Sequence, residues 1–242
     1  MTLKLLALLL LLGFSALAQA APLAFEEFAT SAGPVRFAPI QHASLILEAG
    51  GKVLYIDPAM GSYEGLPKAD LVLITDIHGD HLAPAVLAKI RKPGTTISAP
   101  EAVAKTVTGA TVISNGESRT WEHWSIEAVP MYNLTRGPAA GKFYHDKGRG
   151  NGYVLTYGGK RFYFSGDTEN IPEMRALRNI DVAFVCMNLP YTMTPEEAAE
   201  AVRAFHPKVV YPYHYRGSDT KVFAKALAGT GIEVRLRNWY PE

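Results

Sequence analysis

The sequence predicts an α/β protein built as a layered sandwich of sheets and helices. Short apolar, strand-like runs recur along the chain, and two pairs of them form hairpins around Gly50-Gly51 and Gly158-Gly159. Helical patterns are interspersed among these runs without regular alternation, which argues against a doubly wound parallel sheet. The length of 242 residues fits one domain of this kind after a short leader is removed.

Residues 1–20 have the pattern of a secretory signal peptide. Lys4 supplies the positive charge, an apolar stretch follows from Leu5 to Leu12, and Ala18-Gln19-Ala20 has the small-residue spacing of a cleavage site. The stretch is too short for a membrane span, and the alternative is an uncleaved anchor helix. We expect a mature domain over 21–242 that is periplasmic or secreted and has no stable membrane insertion.

The composition favours a small-molecule substrate over a nucleic-acid partner. The chain has 24 Lys and Arg against 23 Asp and Glu, and no basic stripe is visible in the sequence. The single cysteine, Cys186, cannot form an internal disulfide and lies in an apolar run. We interpret it as a small buried hydrophobic residue. The sequence does not indicate an oligomeric state.

The strands are predicted in chain order from apolar runs. Residues 43–58 read as a hairpin, and the uninterrupted apolar run at 69–75 predicts a strand buried on both faces. Further strands are predicted within 95–99, 110–114, 118–130, 151–167, 180–188 and 207–215.

The clearest helix is predicted over 194–205. Thr194 can cap it, Pro195 suits its first position, and Glu197 completes a capping box. Its buried stripe is predicted to consist of Ala198, Ala201, Val202 and Phe205. Shorter helices are predicted at 83–91, 171–178 and 219–228.

The strongest functional signal is the stretch "ITDIHGDHL" at 74–82. It places Asp76, His78, Asp80 and His81 directly after a buried strand, where side chains leave the packed sheet. Imidazole and carboxylate ligands together suit Zn(II), with Mn(II) or Fe(II) as alternatives. We expect Gly79 to permit a tight turn on which these ligands converge. The alternative is a solvated, acid-rich turn.

This stretch resembles the H-x-H-x-D-H signature of the metallo-β-lactamase superfamily, with Asp76 at the first His position. "IDP" at 56–58, "FSGDT" at 164–168 and "YPYHY" at 211–215 are similar to other landmarks of that superfamily, in the same order. The resemblance covers about 36–242. It implies a four-layer αββα sandwich with a hydrolytic site that holds one or two divalent metals between the sheets.

The resemblance also implies a division of the ligands. His78 would belong to the first metal site, Asp80, His81 and His214 to the second, and Asp167 would bridge both. Asp167 and His214 each end an apolar strand, so both can reach the edge that carries the cluster. Asp76 is predicted to share the first site with His78 and to favour a harder ion. Alternatively, it is a carboxylate that orients a ligand or caps the turn.

Around 129–135 many members of the superfamily carry a further ligand His, and this chain has only Asn133 there, a weaker neutral ligand. His145 is the nearest histidine downstream. We predict it as a metal ligand or a substrate contact, against the alternative of an exposed loop residue. His42 resembles the G-H-A-S stretch of the lactonase-like and phospholipase-D-like branches, and it either lines the site or has a structural role.

Three more residues are predicted to contact the substrate: Asn188, Tyr191 and Arg149. The first two follow a core strand, and Arg149 lies in the glycine-rich stretch "KGRGNG", where it can meet an anionic group.

The predicted function is an exported metal-dependent hydrolase. A divalent ion lowers the pKa of bound water from about 16 to about 7, so a metal-bound hydroxide would cleave an ester, lactone, amide or phosphodiester bond. Asp80 is the predicted catalytic residue that orients the water and takes its proton. A lactonase-like activity is a better analogy than a β-lactamase. The alternative is a non-catalytic metal- or ligand-binding protein on a degenerate form of the fold, which the missing His favours.

Overall fold

The computed structural model describes residues 23–241, which form two seven-stranded sheets and five helices. The predicted signal peptide lies outside the described residues. The first sheet contains, in spatial order, β1 (Glu26–Phe28), β2 (Val35–Gln41), β3 (Ser44–Ala49), β4 (Lys52–Ile56), β5 (Leu71–Leu73), β6 (Thr96–Ala99) and β7 (Ala110–Val112).

The second sheet is built from the later part of the chain. Its strands, in chain order, are β8 (Ser118–Trp121), β9 (Trp124–Met131), β10 (Gly150–Tyr157), β11 (Lys160–Phe164), β12 (Val182–Cys186), β13 (Val209–Tyr213) and β14 (Glu233–Val234).

The two sheets have the same topology. In each sheet the first four strands are successive antiparallel neighbours, and the last three are added in parallel, each beside the strand before it. The described chain is therefore two similar halves in sequence. Parallel strands need crossover connections, and the helices supply most of them.

The helices cover the outer faces of the sheets. They are α1 (Pro84–Ile90), α2 (Glu101–Ala104), α3 (Pro172–Arg175), α4 (Pro195–Phe205) and α5 (Thr220–Ala226). Leu87, Ile90 and Val103 join an apolar cluster on the outside of the first sheet. Buried residues of α3, α4 and α5 join the larger cluster, which also fills the space between the sheets. The predicted four-layer αββα sandwich is confirmed.

Helix α4 forms as its sequence predicts. The Thr194 side chain accepts a hydrogen bond from the Glu197 backbone N–H at 3.1 Å, and the Glu197 carboxylate accepts one from the Thr194 N–H at 2.8 Å. The predicted stripe of Ala198, Ala201, Val202 and Phe205 is buried. Among residues 23–241, no helix is long and apolar enough to cross a membrane.

The parallel strands determine where polar side chains gather. Strands β4 and β5 of the first sheet, and β11, β12 and β13 of the second, continue into loops at their carboxyl ends. The segment after β5 carries 74–82, that after β11 carries Asp167, and that after β13 carries His214. Side chains at such ends leave the packed core, so this edge of the sandwich collects the candidate ligands.

Candidate metal centre

One group of four residues brings together both halves of the chain. Asp80 and His81 come from the loop after β5, Asp167 follows β11, and His214 follows β13, and their ligand atoms all lie within 4.8 Å of one another. We call these residues the four-residue group. His81 Nε2 lies 3.3 Å from Asp167 Oδ2, and His214 Nε2 lies 3.3 Å from Asp80 Oδ2 and 3.4 Å from Asp167 Oδ1. Three of the residues are buried and Asp80 is partly exposed.

A second group, the three-residue group, contains Asp76, His78 and His145. Asp76 is fully buried, whereas the His78 side chain is 44% exposed. His78 Nδ1 lies 2.9 Å from Asp76 Oδ2. His145 Nε2 lies 3.1 Å from Asp167 of the four-residue group but 4.0 Å from Asp76, so its ring faces both groups.

Asp76 is also paired with an arginine. Arg149 Nε donates to Asp76 Oδ1 at 3.1 Å, and Arg149 Nη2 donates to Oδ2 at 2.8 Å. This is the bidentate geometry in which a guanidinium binds a carboxylate most strongly. Arg149 immediately precedes β10, in the turn closed by its own N–H to the Asp146 carbonyl.

A buried carboxylate holds the ring of His81. Asp57, directly after β4, accepts hydrogen bonds from the Thr75 N–H and hydroxyl, both at 2.7 Å, and its Oδ2 lies 2.8 Å from His81 Nδ1. Because Nδ1 is engaged in this way, Nε2 points at the four-residue group. A carboxylate behind a histidine in this arrangement fixes its tautomer and raises its basicity as a ligand.

A second series of contacts, through His42 and Tyr240, holds Asp80. His42 Nε2 lies 3.1 Å from Asp80 Oδ2, and His42 Nδ1 lies 2.6 Å from the Tyr240 hydroxyl. The His42 ring also lies against that of His214, with 3.8 Å between centroids. The His42 backbone N–H donates to the Trp239 carbonyl at 2.9 Å, so the C-terminal segment is fixed beside the centre.

The Asn133 side chain holds both the backbone and the ring of His145. Its Oδ1 accepts from the His145 backbone N–H at 2.8 Å and lies 2.7 Å from His145 Nδ1. Its Nδ2 donates to Glu169 and to the Tyr191 carbonyl. Glu169 in turn accepts from the backbone N–H groups of Leu134, Thr135 and Arg136. Asn133 thus belongs to neither ligand group, and it orients the histidine that does.

Charge and burial act against each other on the acids of the centre. Burial raises the pKa of the Asp80 carboxyl, but hydrogen bonds to His214 and His42 outweigh it and lower that pKa well below its usual range. Burial likewise opposes ionisation of Asp76, yet the hydrogen bond to His78 and neighbouring positive charges bring its pKa to about 2. Burial raises the pKa of Asp167 as well, but the histidines around it outweigh burial and lower that pKa well below its usual value. The carboxyls of these three aspartates are therefore ionised at neutral pH.

The pKa values of two histidines, His81 and His78, shift in the opposite direction. Burial lowers the pKa of His81, but the carboxylates of Asp167 and Asp57 raise it well above the ordinary value. The hydrogen bond to Asp76 raises the pKa of His78. Burial lowers the pKa of His42. Within residues 23–241, the ion-pair partners of Asp80 and Asp167 are all histidines.

The side chains present fit a divalent metal. Buried polar atoms almost always have hydrogen-bond partners, so unpaired ones need an explanation. Within the described residues, three unpaired buried atoms converge here: His81 Nε2, His145 Nε2 and Asp167 Oδ1. Nitrogen and carboxylate oxygen are also the donor set that suits Zn(II), Mn(II) or Fe(II).

The structure brings together most of the residues that the sequence singled out. Asp76, His78, Asp80, His81, Asp167 and His214 all lie in the two groups, His145 joins them, and His42 lines the centre. Asn188 is buried after β12, and Tyr191 lies exposed on the rim with its ring 4.9 Å from that of Tyr144.

One expectation, that the turn requires Gly79, needs correction, whereas the predicted substrate contact of Arg149 stays a prediction. Gly79 does not adopt a left-handed conformation, and a Cβ built on it would meet nothing within 4 Å, so the turn does not require glycine. The turn is closed by the N–H groups of His81 and Leu82, which both donate to the His78 carbonyl. Arg149, predicted to contact substrate, uses two of its nitrogens to bind Asp76.

Sequence reasoning missed Asp57, Tyr240 and Glu169, which hold the ligands in place. For Asp57 a signal was present, because it ends an apolar strand within the "IDP" landmark. Tyr240 and Glu169 carry no local pattern that indicates their role.

The chain is similar in sequence to a known family and to proteins named as hydrolases. The model of the β-lactamase superfamily domain matches residues 37–214. The chain is 30% identical over 217 residues to a UPF0173 metal-dependent hydrolase of Deinococcus radiodurans, a match that covers 81% of this chain and 92% of the relative. It is 31% identical to another protein of that name from Pelotomaculum thermopropionicum, over 81% of this chain and 93% of the relative.

Solved structures agree with these matches. A crystal structure of a protein described as a metal-dependent hydrolase, from Parabacteroides distasonis, is 42% identical, with a TM-score of 0.85 over 89% of this chain and 99% of that one. Igni18, a metallo hydrolase from Ignicoccus hospitalis, is 25% identical, with a TM-score of 0.69 over 84% of this chain and 94% of that one.

Proposed function

Because the chain belongs to the β-lactamase superfamily and, within it, to the UPF0173 metal-dependent hydrolases, we propose that it hydrolyses an ester, lactone, amide or phosphodiester bond of a small molecule. The observation that carries the proposal is the four-residue group, where unpaired nitrogen and oxygen atoms converge at the edge shared by both sheets.

The metal would be held by Asp80, His81, Asp167 and His214. We propose Zn(II), with Mn(II) and Fe(II) as competitors for the same mixture of nitrogen and oxygen donors. When bound, such an ion supplies Lewis acidity, which yields hydroxide from water at neutral pH and polarises the oxygen of the scissile bond. Asp57 keeps the Nε2 of His81 directed at the other members of the four-residue group, and Asp167 and His214 come from the other sheet.

Asp80 is the residue we assign to proton transfer. It is the one member of the four-residue group whose side chain reaches solvent, with 33% of it exposed, so a water molecule and a substrate can approach it. His42 and His214 hold its Oδ2, at 3.1 Å and 3.3 Å, and thereby fix the carboxylate. A carboxylate fixed in this way can accept a hydrogen bond from the attacking water and take its proton.

The rim of the centre would contact the rest of the substrate. Tyr191 and Leu134 are exposed large hydrophobic residues, and their loops are joined by the hydrogen bond from Asn133 to the Tyr191 carbonyl. Ligand sites combine apolar walls with a few placed polar groups. This rim favours a substrate with an apolar portion beside the bond that is cleaved.

The proposal includes export. The leader pattern at 1–20 would direct the chain out of the cytoplasm, with cleavage after Ala20. Expression of the full chain in a bacterium, followed by fractionation and N-terminal sequencing, tests this. We expect the processed protein outside the cytoplasm with Ala21 as its first residue. An unprocessed chain in the cytoplasm would contradict it.

Measurements of turnover and metal content test the proposed hydrolase activity. Purified protein is assayed for its metal by mass spectrometry and for hydrolysis of a generic lactone, a carboxylic ester, an amide and bis(p-nitrophenyl) phosphate. We expect at least one transition metal per chain, activity on one of these classes, loss of that activity on chelation and its return when Zn(II) or Mn(II) is restored. Activity that persists in the metal-free protein would refute the mechanism. Stable metal binding without turnover would favour the non-catalytic alternative.

A further inference from the structure

We propose that the guanidinium of Arg149 takes the place of a second divalent ion, so that this chain binds a single ion, in the four-residue group. This inference rests on the proposed function only in requiring that the four-residue group binds a metal. It concerns the three-residue group, which the sequence presents as a second metal site.

The distribution of charge separates the two groups. The four-residue group contains two carboxylates, Asp80 and Asp167, and among residues 23–241 neither forms an ion pair with a lysine or arginine. The three-residue group contains one carboxylate, Asp76, and that one is paired with Arg149. The three-residue group therefore already has a fixed cation built into the chain, whereas within the described chain only histidines lie against the carboxylates of the four-residue group.

The oxygens of Asp76 are largely occupied. Oδ1 accepts from Arg149 Nε, and Oδ2 accepts from Arg149 Nη2 and faces His78 Nδ1 at 2.9 Å. An ionised carboxylate has about four acceptor positions, so three of them serve protein donors. A metal that used Asp76 would have to displace the guanidinium or lie beside it, and like charges at such short range repel strongly.

The other two members of the group have near partners of their own in the chain. His145 Nε2 lies closer to Asp167 of the four-residue group than to Asp76, at 3.1 Å against 4.0 Å. The His78 side chain is 44% exposed, and its Nδ1 is directed at the Asp76 carboxylate. Without Asp76, the group offers only two histidines, and Asp167, which lies beside His145, already belongs to the four-residue group.

Burial makes the Arg149–Asp76 pair persistent. Asp76 is fully buried and the Arg149 side chain is 22% exposed. A buried carboxylate that loses its charged partner is strongly destabilised, so the arginine is not displaced easily. The pair fixes a positive charge on the face of the centre where the superfamily signature would put a first metal.

The test counts ions. Wild type, Arg149→Met and Arg149→Lys are stripped with chelator, dialysed against Zn(II) and, separately, against Mn(II), and analysed for metal per chain. We expect one ion in wild type and one in Arg149→Lys, which keeps the charge. We expect two in Arg149→Met, because the unpaired Asp76 then recruits a cation together with His78 and His145. Adding Asp76→Asn to Arg149→Met should return the count to one.

Two ions in wild type would overturn the inference, and so would a single ion in a folded Arg149→Met protein, with folding judged by circular dichroism. If Arg149→Met fails to fold, the wild-type count decides alone. A wild-type protein that binds no ion would overturn the proposed function as well. Because the readout is stoichiometry rather than turnover, the two failures are distinguishable.

Discussion

At the scale of single residues, the centre is marked by unusual backbone conformations. Six non-glycine residues in the described chain have positive φ, and three of them, His42, Asp57 and His214, line the centre with φ of 60°, 45° and 46°. A left-handed conformation costs a non-glycine residue about 1 kcal/mol or more. Here hydrogen bonds offset the cost, since the His214 N–H donates to the His42 carbonyl and the His42 N–H to that of Trp239. The rings are thus placed before any ligand arrives.

Asp57 supplies the first prediction at this scale. Asp57→Asn keeps the shape of the side chain but replaces one acceptor oxygen with a donor, so the ring of His81 loses the carboxylate that fixes its tautomer. Loss of such a supporting carboxylate typically weakens metal binding by about 10–100-fold. Competition against a chromophoric chelator measures the affinity for Zn(II) directly.

A matched control separates this effect from general destabilisation. Asp70 also accepts a backbone hydrogen bond, from the Val53 N–H at 3.0 Å, and pairs with Lys92, but it precedes β5 and lies at the opposite end of that strand from the centre. Asp70→Asn should lower stability and leave the metal affinity of the folded protein unchanged. Equal metal affinity in Asp57→Asn and wild type would show that Asp57 has only a structural role.

At the scale of secondary-structure elements, local signals predicted most of the sandwich. The capping box of α4 and the two-glycine hairpins are determined by neighbouring residues, and they form as expected. Strand β2 was not predicted, because Pro39 interrupts its pattern, and the structure shows an irregular register between Pro39 and Gln41. Strands β1 and β14 and helix α2 have only two to four residues. Their formation depends on the sheet edge or loop beside them.

Most of the candidate metal centre was likewise predictable from the sequence. Four candidate ligands lie in one short stretch, and Asp167 and His214 were found because each ends an apolar strand. The partnership of Arg149 with Asp76 joins positions 73 residues apart, and that of His42 with Tyr240 joins positions 198 apart. No periodicity or local motif encodes such pairs, because the packing of the two halves decides which loops meet. Asp76 could be identified as a candidate ligand, but its pairing with Arg149 could not be predicted.

Asp181 provides a prediction about how three strands are joined. It precedes β12, and its carboxylate accepts from the Arg161 N–H on β11 at 2.9 Å and from Lys208, which precedes β13, at 2.8 Å. Burial raises the pKa of Asp181, but the hydrogen bonds from Lys208 and Arg161 outweigh it and lower that pKa below the ordinary value. Asp181→Asn should cost about 1 kcal/mol at pH 7, a modest value because the Lys208 side chain is largely exposed.

The sign of the pH dependence follows from the lowered pKa. The carboxylate of Asp181 stabilises the fold fully above its unfolded pKa of about 3.9, and the contribution is lost as the pH falls through the lower folded value. Urea unfolding should therefore distinguish Asp181→Asn from wild type at pH 7, and the difference should shrink towards pH 3. Glu101→Gln, in an exposed pair with Lys105, is the control and should change stability by less than about 0.5 kcal/mol. A difference that grows on acidification would contradict the assignment.

At the scale of the whole molecule, the four-residue group is where the two halves meet through polar side chains. Asp80 and His81 belong to the first half, Asp167 and His214 to the second, and the shared apolar core lies beneath them. Without a cation, two carboxylates of opposite halves, Asp80 and Asp167, face each other. Burial and, to a smaller extent, the charge of Asp167 oppose ionisation of Asp80, although the hydrogen bonds to His214 and His42 lower its pKa overall. A divalent ion would turn the repulsion into a bond between the halves.

This arrangement predicts that metal binding stabilises the entire domain and not the loops alone. An ion that binds only the folded chain, at about 100 times its Kd, stabilises it by about 2.7 kcal/mol. For a domain of this length each kcal/mol raises Tm by about 2–4 °C, so loading the chelated protein with Zn(II) should raise Tm by about 5–11 °C in one cooperative transition.

His214→Ala removes a candidate ligand of the second half and should abolish most of this rise in Tm. His123→Ala, which removes an exposed histidine outside the centre, should retain it in full. Calorimetry of the three proteins with and without Zn(II) measures the shift. If the ion raised Tm equally in His214→Ala and wild type, or split the unfolding into two transitions, the metal would not join the halves through this group.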